Sequence, residues 1–525
     1  MLLCRVASEG SRSPLLLALP DPCLLAVLQC CAADDQRSLC SAARANSRLH
    51  QAAVLALRSI TVVVTKHAQA DCVLRYLEKH AKHVDSLELE GGVKFGRTAL
   101  GALPMDLRLR SLHLDKWQLQ GVGLQGKLGP LGEVSALKQL CLRHCEVLDG
   151  MADVLAATLL RLPAGLEHLC ISGLHRSTNI DMDFAARVIQ QLQGLTYLEL
   201  ADLKLPAVDP VRGQASPALQ SLRSLTQLRD LRLDDVRDDM TITASMLSGM
   251  RDLTRLELCC SVKLQPGALA GKTRLQHLYL GIWHKDAGEL AQLLSYMQHL
   301  QQLTHLNIQH NMTVVKDEAP LPPAAYAALT ASSKLQVLDA REFGLPVDAW
   351  RHVFPPGSQL PDLHALAIWV TGTYAAAGSF PTPDGTSLVS CCPGLRSLYM
   401  ANVPFNAAVL APLTGLCGLK ELNVDNCEAT VEGMGALCQL TGLRYLVVVA
   451  PAALEQVGLL LQLTKLKQLT TLAYLVPVHP GPGEVVVNRY ELLKKKGGLN
   501  SLQVRQNVRA LDTVAQCATW PGVAA

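Results

Sequence analysis

Aromatic residues are scarce in this chain. Its 6 Phe, 10 Tyr and 5 Trp amount to 4% of 525 residues, whereas hydrophobic residues as a whole reach 49%. Leu and Ala must therefore supply the core, which suits helices and stacked repeats better than an aromatic-rich β-sandwich. An excess of one charge is also lacking, since 48 Lys+Arg against 45 Asp+Glu leave +3. That balance gives no general pull toward nucleic acid or an anionic membrane, and neither is expected as a partner. No apolar run reaches the length of about 18 residues that a membrane helix needs. The 17 cysteines include no CxxC pair, so the usual zinc and thioredoxin-type spacings are missing. They occur as doublets (Cys30–Cys31, Cys259–Cys260, Cys391–Cys392) and singly on apolar stripes. Such thiols behave as small hydrophobes and fit a reducing, intracellular compartment, the cytoplasm or the nucleus. The length exceeds one ordinary core and calls for several domains or one elongated repeat.

What the chain has in quantity is the pattern L-x-x-L-x-L. Clear copies start at Leu137 (LKQLCLRHC), Leu195, Leu228, Leu253, Leu275, Leu303 (LTHLNIQHN), Leu395, Leu419 (LKELNVDNC) and Leu443. Weaker copies start at Val84, Leu109, Leu166, Leu335, Leu363, Leu469 and Leu499, giving sixteen starts separated by 22 to 33 residues. In each copy the fourth and sixth residues point to one face of a short strand. One strand cannot bury its leucines alone, so successive copies must stack into a parallel sheet with a shared core. The other wall has to come from the return segments, several of which carry helical spacing: MADVLAATLL from Met151, FAARVIQQL from Phe184 and AGELAQLLSYMQHL from Ala287. Over roughly 84–507 the sequence resembles the leucine-rich-repeat family. The resemblance implies an α/β solenoid, a horseshoe with parallel strands on the concave face and helices on the convex face. The family often places Asn or Cys at the ninth position. Cys145, Asn311, Cys427 and Asn507 match, whereas Trp117, Trp283, Phe343 and Val403 stand there in other copies.

Few motifs point to chemistry. GVGLQG (Gly121–Gly126) has the letters of a dinucleotide fingerprint, but KLGPLG follows where a helix N-terminus is required, so it reads as a loop. His113, Cys141 and Cys170 hold the same outward position on three successive strands, a row that reads first as neutral surface and second as a candidate for a transition metal. No nucleophile–base set or carboxylate pair stands out. No enzyme activity, no resident metal and no cofactor are expected.

The third, fifth and seventh positions of each copy form the concave face. Its middle carries Tyr197, Glu199, Asp230, Arg232, Asp234, Arg255, Glu257, His277, Tyr279, His305 and Asn307. Mixed charges interleaved with Tyr and His suit recognition of a polar protein surface, and Arg and Tyr are enriched at binding hot spots. Further along the positions turn apolar, through Ala365, Ala367, Trp369, Tyr399, Val447, Val449, Ala473 and Leu475. That strip marks either a ligand contact or the seat of a covering segment, for which VPVHPGPGEVVVNRYELLKKKGG from Val476 is available.

Ahead of the repeat stands LLLALPDPCLLAVLQCCAADDQRSLCSAARANSRLHQAA, from Leu15 to Ala53. Pro20, Asp21 and Pro22 interrupt its apolar run, which argues against a secretion signal cleaved near Ala32 or Ala33. The turn leads into a helix, CLLAVLQCC, and Asp34-Asp35 caps a second helical segment running to Ile60. These elements resemble an F-box: Leu19-Pro20, Leu24-Leu25, Val27-Leu28, an acidic turn, Leu39 and Arg44/Arg48, with Pro22 and Ser47 departing from the family's Glu and Trp. The resemblance implies that Leu19, Pro20, Leu24, Leu25, Val27, Leu28 and Leu39 contact a Skp-type adaptor of a cullin–RING ubiquitin ligase, with the repeat holding an unidentified protein substrate. The alternative is a repeat scaffold of another kind, cytoskeletal or axonemal, whose N-terminal helices cap the first repeat. The expected organisation is a flexible start (1–14), an F-box-like segment (15–58), a connecting or capping segment (59–83), the repeats (84–507) and a C-terminal tail (508–525).

Overall fold

The computed structural model describes residues 19–34, 47–64, 67–91, 108–119, 136–147, 157, 159–173, 182–201, 220–234, 240–265, 267–282, 287–310, 321–371, 385–401, 403, 407–425, 431–449 and 465–475. The chain forms two compact units, Met1–Met240 with Ser245–Asp252, and Thr241–Ala244 with Leu253–Ala525.

In the first unit, parallel strands follow one another in chain order. They are β1 (Ser59–Val64), β2 (Ser86–Gly91), β3 (Ser111–Asp115), β4 (Gln139–Arg143), β5 (His168–Ser172), β6 (Tyr197–Ala201) and β7 (Asp230–Asp234). The second unit repeats the arrangement with β8 (Arg255–Leu264), β9 (His277–Ile282), β10 (His305–His310), β11 (Val337–Pro346) and β12 (Ala365–Thr371). It continues through β13 (Ser397–Ala401), β14 (Glu421–Asp425), β15 (Tyr445–Val449) and β16 (Thr471–Leu475). Both units are α/β solenoids of leucine-rich repeats.

The register explains why the pattern folds this way. Fourth-position leucines pair across every junction, from Leu87 through Leu112, Leu140, Leu169 and Leu198 to Leu231, and all are buried. Burying one such side chain stabilises by about 1.5–3 kcal/mol, so the aligned rows dominate the energetics. A second device recurs at each junction. The second and third residues of a copy both donate to one carbonyl of the preceding copy, as Lys138 and Gln139 do to Arg110 (2.7 and 2.9 Å). Gln336 and Val337 do the same to Thr304 (2.7 and 3.0 Å).

Two ninth-position residues share one task despite different chemistry. Cys145 Sγ donates to the Leu114 carbonyl at 3.5 Å, and Trp117 Nε1 donates to the equivalent Leu89 carbonyl at 2.9 Å. Trp117 thus satisfies the strand-end acceptor that Cys satisfies one repeat later. Phe343 and Val403 are simply buried at that position. Asn311, Cys427, Trp283 and Asn507 lie outside the described residues, as do Gly121–Gly126.

Just past the strand, three successive repeats turn through the left-handed region at Lys116 (φ 59°), His144 (φ 49°) and Gly173 (φ 63°). Each N–H reaches the last carbonyl of the next strand, Arg143, Ser172 and Ala201 respectively. A side chain at Gly173 would carry the left-handed cost and meet His144 atoms at 3.0–3.2 Å. Gly173→Ala is therefore expected to destabilise the first unit by about 1–2 kcal/mol, read as a lowered urea midpoint at unchanged m-value.

The return segments with helical spacing are helices where they are described. Met182–Gln191 buries Val188 and Ile189, and Ala287–Met297 buries Leu290, Leu293, Leu294 and Met297. Most of the Met151 segment lies outside the described residues.

Two boundaries differ from expectation. The second N-terminal helix, α2 (Ser47–Ala56), stops short of Ile60, because SITVVV is β-branched and becomes β1. Since β1 pairs with β2 from Ser59↔Ser86 onward, the sheet begins one strand before the first L-x-x-L-x-L copy. The segment 59–83 thus supplies a strand and a helix, His67–His80. The first N-terminal helix, α1 (Asp21–Asp34), starts at the predicted turn, with Pro22 in its first turn where no N–H partner is lost. It packs on α2, and Arg48 clamps the pair through Asp21 Oδ1 (2.5 Å) and the Leu19 carbonyl (2.7 Å). Among the described residues no helix is long and apolar enough to cross a membrane.

Candidate protein-binding surface

Third-, fifth- and seventh-position side chains leave the sheet on the face opposite the leucine rows. On the first unit they form one bonded cluster. The Tyr197 hydroxyl donates to the Glu199 carboxylate, which also receives Arg143 Nη2 at 2.7 Å. His168 stacks on the Tyr197 ring (centroids 3.8 Å apart, 5° between planes), and the Arg232 guanidinium lies 5.1 Å from that ring. Arg232 also holds Asp230 at 3.2 Å. Burial pushes the Glu199 carboxyl up, but the hydrogen bonds from Tyr197 and Arg143 outweigh it and leave the group below its usual range. Burial, with the bond to Glu199 behind it, raises the Tyr197 phenol. His168 is driven down to about 4, first by burial and then by the Arg143 and Arg232 charges.

The second unit repeats the theme with different partners. Arg255 holds Glu257 through Nε at 2.8 Å, and His277 stacks on His305 with centroids 4.3 Å apart. Burial and then the neighbouring His277 lower His305 to about 4. Tyr279 pairs with Asn307 across β9 and β10. Among the described residues, Asn307 Oδ1 and Asn423 Oδ1 are buried acceptors without a hydrogen-bond partner. Arg341 binds Asp339 at 2.6 Å and lies 5.7 Å from the Tyr399 ring centroid.

A histidine held neutral in the fold has a sign consequence. With folded values near 4 against 6.5 for the free side chain, the unfolded chain binds protons that the fold refuses. Stability contributed this way is complete above about pH 6.5 and is lost as pH falls toward 4. Glu199, depressed in the fold, acts in the same direction on acidification. Thermal melts between pH 7 and 4.5 should show Tm falling in the wild type and falling less in His168→Gln, which removes one titrating group.

All ten concave-face residues expected from sequence, Tyr197, Glu199, Asp230, Arg232, Arg255, Glu257, His277, Tyr279, His305 and Asn307, occupy outward strand positions. The cluster adds Arg143 and His168, which the same third, fifth and seventh rule identifies on the Leu137 and Leu166 copies. The apolar strip differs from expectation. Ala365, Ala367 and Val447 face outward yet are buried, because small side chains sit flanked by larger neighbours such as Asp339 and Tyr399 beside Ala367. Among the described side chains of the strip, Trp369 stands out at 36% exposed, and the side chains of Val449, Ala473 and Leu475 lie outside the described ones. The covering candidate from Val476 lies outside the described residues.

In the N-terminal pair the expected adaptor contacts divide. Leu24 and Leu28 are fully buried, Leu19 and Leu25 are half-buried, and Pro20 and Val27 are exposed. Leu39 lies outside the described residues.

No family model matches the chain, and no curated protein matches it. Among solved structures it is similar to an internalin from Listeria monocytogenes, at 14% identity over 76% of this chain and 87% of that one, with a TM-score of 0.38. It is likewise similar to a leucine-rich-repeat protein of Leptospira interrogans, at 15% identity over 85% of this chain and 100% of that one, with a TM-score of 0.38. The repeat assignment itself rests on the strand ladder and its buried leucine rows.

Proposed function

We propose that this chain is a protein-interaction scaffold without chemistry of its own, and that the outward sheet face holds a protein partner. The observation that carries this reading is the Arg143–Tyr197–Glu199–His168–Arg232 cluster. Its Tyr and Arg side chains are already fixed by mutual bonds, so a partner meets hot-spot residue types whose ordering cost is largely met before binding. A photo-crosslinking phenylalanine analogue at Tyr279 should give protein adducts in cells, and one at Gln292, exposed on the helical side, should not. Equal adduct formation at both positions would refute the reading.

The finer form of this proposal is substrate recognition in a Skp–cullin–RING ubiquitin ligase. The α1–α2 pair then docks the adaptor through its accessible residues, Pro20, Val27 and part of Leu25, while Leu24 and Leu28 hold the helices together. Proximity, with catalysis supplied by partner enzymes, is the mechanism this implies. One observation favours the cap reading instead: only Leu57 and Arg58 separate α2 from β1, so the helices run straight into the sheet edge. Val27→Asp separates the two. Under the docking reading, it abolishes co-purification with a Skp-type adaptor at unchanged Tm. A wild-type chain that binds no adaptor removes the ligase proposal and leaves the cap. Under both readings, Leu24→Ala should cost about 2–5 kcal/mol in the helix pair.

A further inference from the structure

Cys141 on β4 and Cys170 on β5 are register partners. They leave the same sheet face from neighbouring strands about 5 Å apart. The two thiols are hydrogen-bonded to each other, and both are free of disulfide. Both are shielded, with Cys170 at 0% and Cys141 at 8% exposure. Arg143 Nε donates to Cys170 Sγ at 3.2 Å. His113 comes next in the same row beyond Cys141, with its Nδ1 3.5 Å from Glu88 Oε1. Cys170 thus adjoins the protein-binding cluster, bonded to both Arg143 and Glu199, whereas Cys141 lies one strand outside it.

The geometry points to a soft-metal site in which Cys141 and Cys170 bind one monovalent d10 cation of the Cu(I) class as a two-coordinate bis-thiolate. Thiolates select soft ions, and a d10 monovalent ion is satisfied by two sulfurs. Structural zinc asks for four ligands, whereas among the described residues no group of three His, Cys, Asp or Glu is placed to hold a metal. One Cu(I) and two thiols give a bis-thiolate of charge −1 and release two protons to solvent, and Arg143 Nε, which donates to Cys170 Sγ, is placed to donate a hydrogen bond to the thiolate. Cys145, only two residues beyond Arg143, takes no part because it is buried in the core against the Leu114 carbonyl.

The test uses full-length reduced protein under anaerobic conditions, competing for Cu(I) with the chromophoric chelator bicinchoninate. The wild type should withdraw one equivalent most tightly. Cys141→Ser and Cys170→Ser should each weaken that equivalent roughly 100-fold, and Cys417→Ser, at an exposed thiol, should leave it unchanged. Far-UV circular dichroism checks that each variant is folded. Should a serine variant fail to fold, alkylation of the wild type decides: one equivalent of Cu(I) should slow alkylation of Cys141 relative to the same protein without metal and leave the rates at Cys23, Cys72 and Cys417 unchanged. Unchanged affinity in a folded single variant, or protection at the exposed cysteines instead of Cys141, would overturn the assignment. Zn(II) binding of equal tightness and the same cysteine dependence would overturn its selectivity.

Discussion

Gly394→Ala is expected to destabilise the second unit by about 3 kcal/mol, the upper end of overpacking costs. Gly394 stands immediately before the first leucine of its copy, as Gly194, Gly418 and Gly442 do in theirs. A Cβ on Gly394 would lie 2.5 Å from the Pro361 carbonyl oxygen, a backbone atom that cannot swing aside. The same Cβ on Gly418 or Gly442 meets the preceding repeat's carbonyl at 3.5 or 3.4 Å, ordinary contact. The contrast makes the test sharp. Chemical denaturation should show a large loss for Gly394→Ala and a change within about 0.5 kcal/mol for Gly418→Ala. Equal effects at the two sites would mean that the close approach at Pro361 is absent.

Arg143→Ala should carry the second large effect, about 2–3 kcal/mol in the first unit. Glu199 is only 13% exposed at its side chain, and Arg143 supplies one of its two strong hydrogen bonds. Breaking a fully buried pair costs about 3–5 kcal/mol. The estimate is lower here because the Arg143 side chain retains 35% exposure. The loss should shrink in an Arg143→Ala/Glu199→Leu double variant, where no buried carboxylate is left unpaired. A double variant as unstable as Arg143→Ala alone would place the effect in packing instead of charge. Because the cluster holds Tyr197 and Arg232 in position, partner binding should fall in both variants.

Much of this architecture was written in the spacing of leucines. Side-chain alternation puts the fourth and sixth residues inward, and a one-residue slip would expose every leucine, so the register had a single solution. The outward face follows from that frame, including Arg143 and His168. Three things were not legible. The first strand, SITVVV, has no L-x-x-L-x-L copy, and its β-branched run was masked by the helical pattern leading into it. The hydrogen bond that lets Trp117 replace Cys or Asn depends on the reach of an indole, which no consensus records. Burial of Ala365 and Ala367 depends on the size of neighbours in adjacent repeats, thirty or so residues away along the chain. Pattern identifies which way a side chain points, whereas exposure is decided by what stands beside it.

The most direct test of the interaction-scaffold account is quantitative affinity capture from native lysate with three matched full-length proteins. These are the wild type, a face variant (Tyr197→Ala, Arg232→Ala, Tyr279→Ala) and a helical-side control (Gln190→Ala, Gln292→Ala). The account predicts a set of proteins retained by the wild type and the control and lost, at least tenfold, from the folded face variant. Retention of the same set by all three would contradict it.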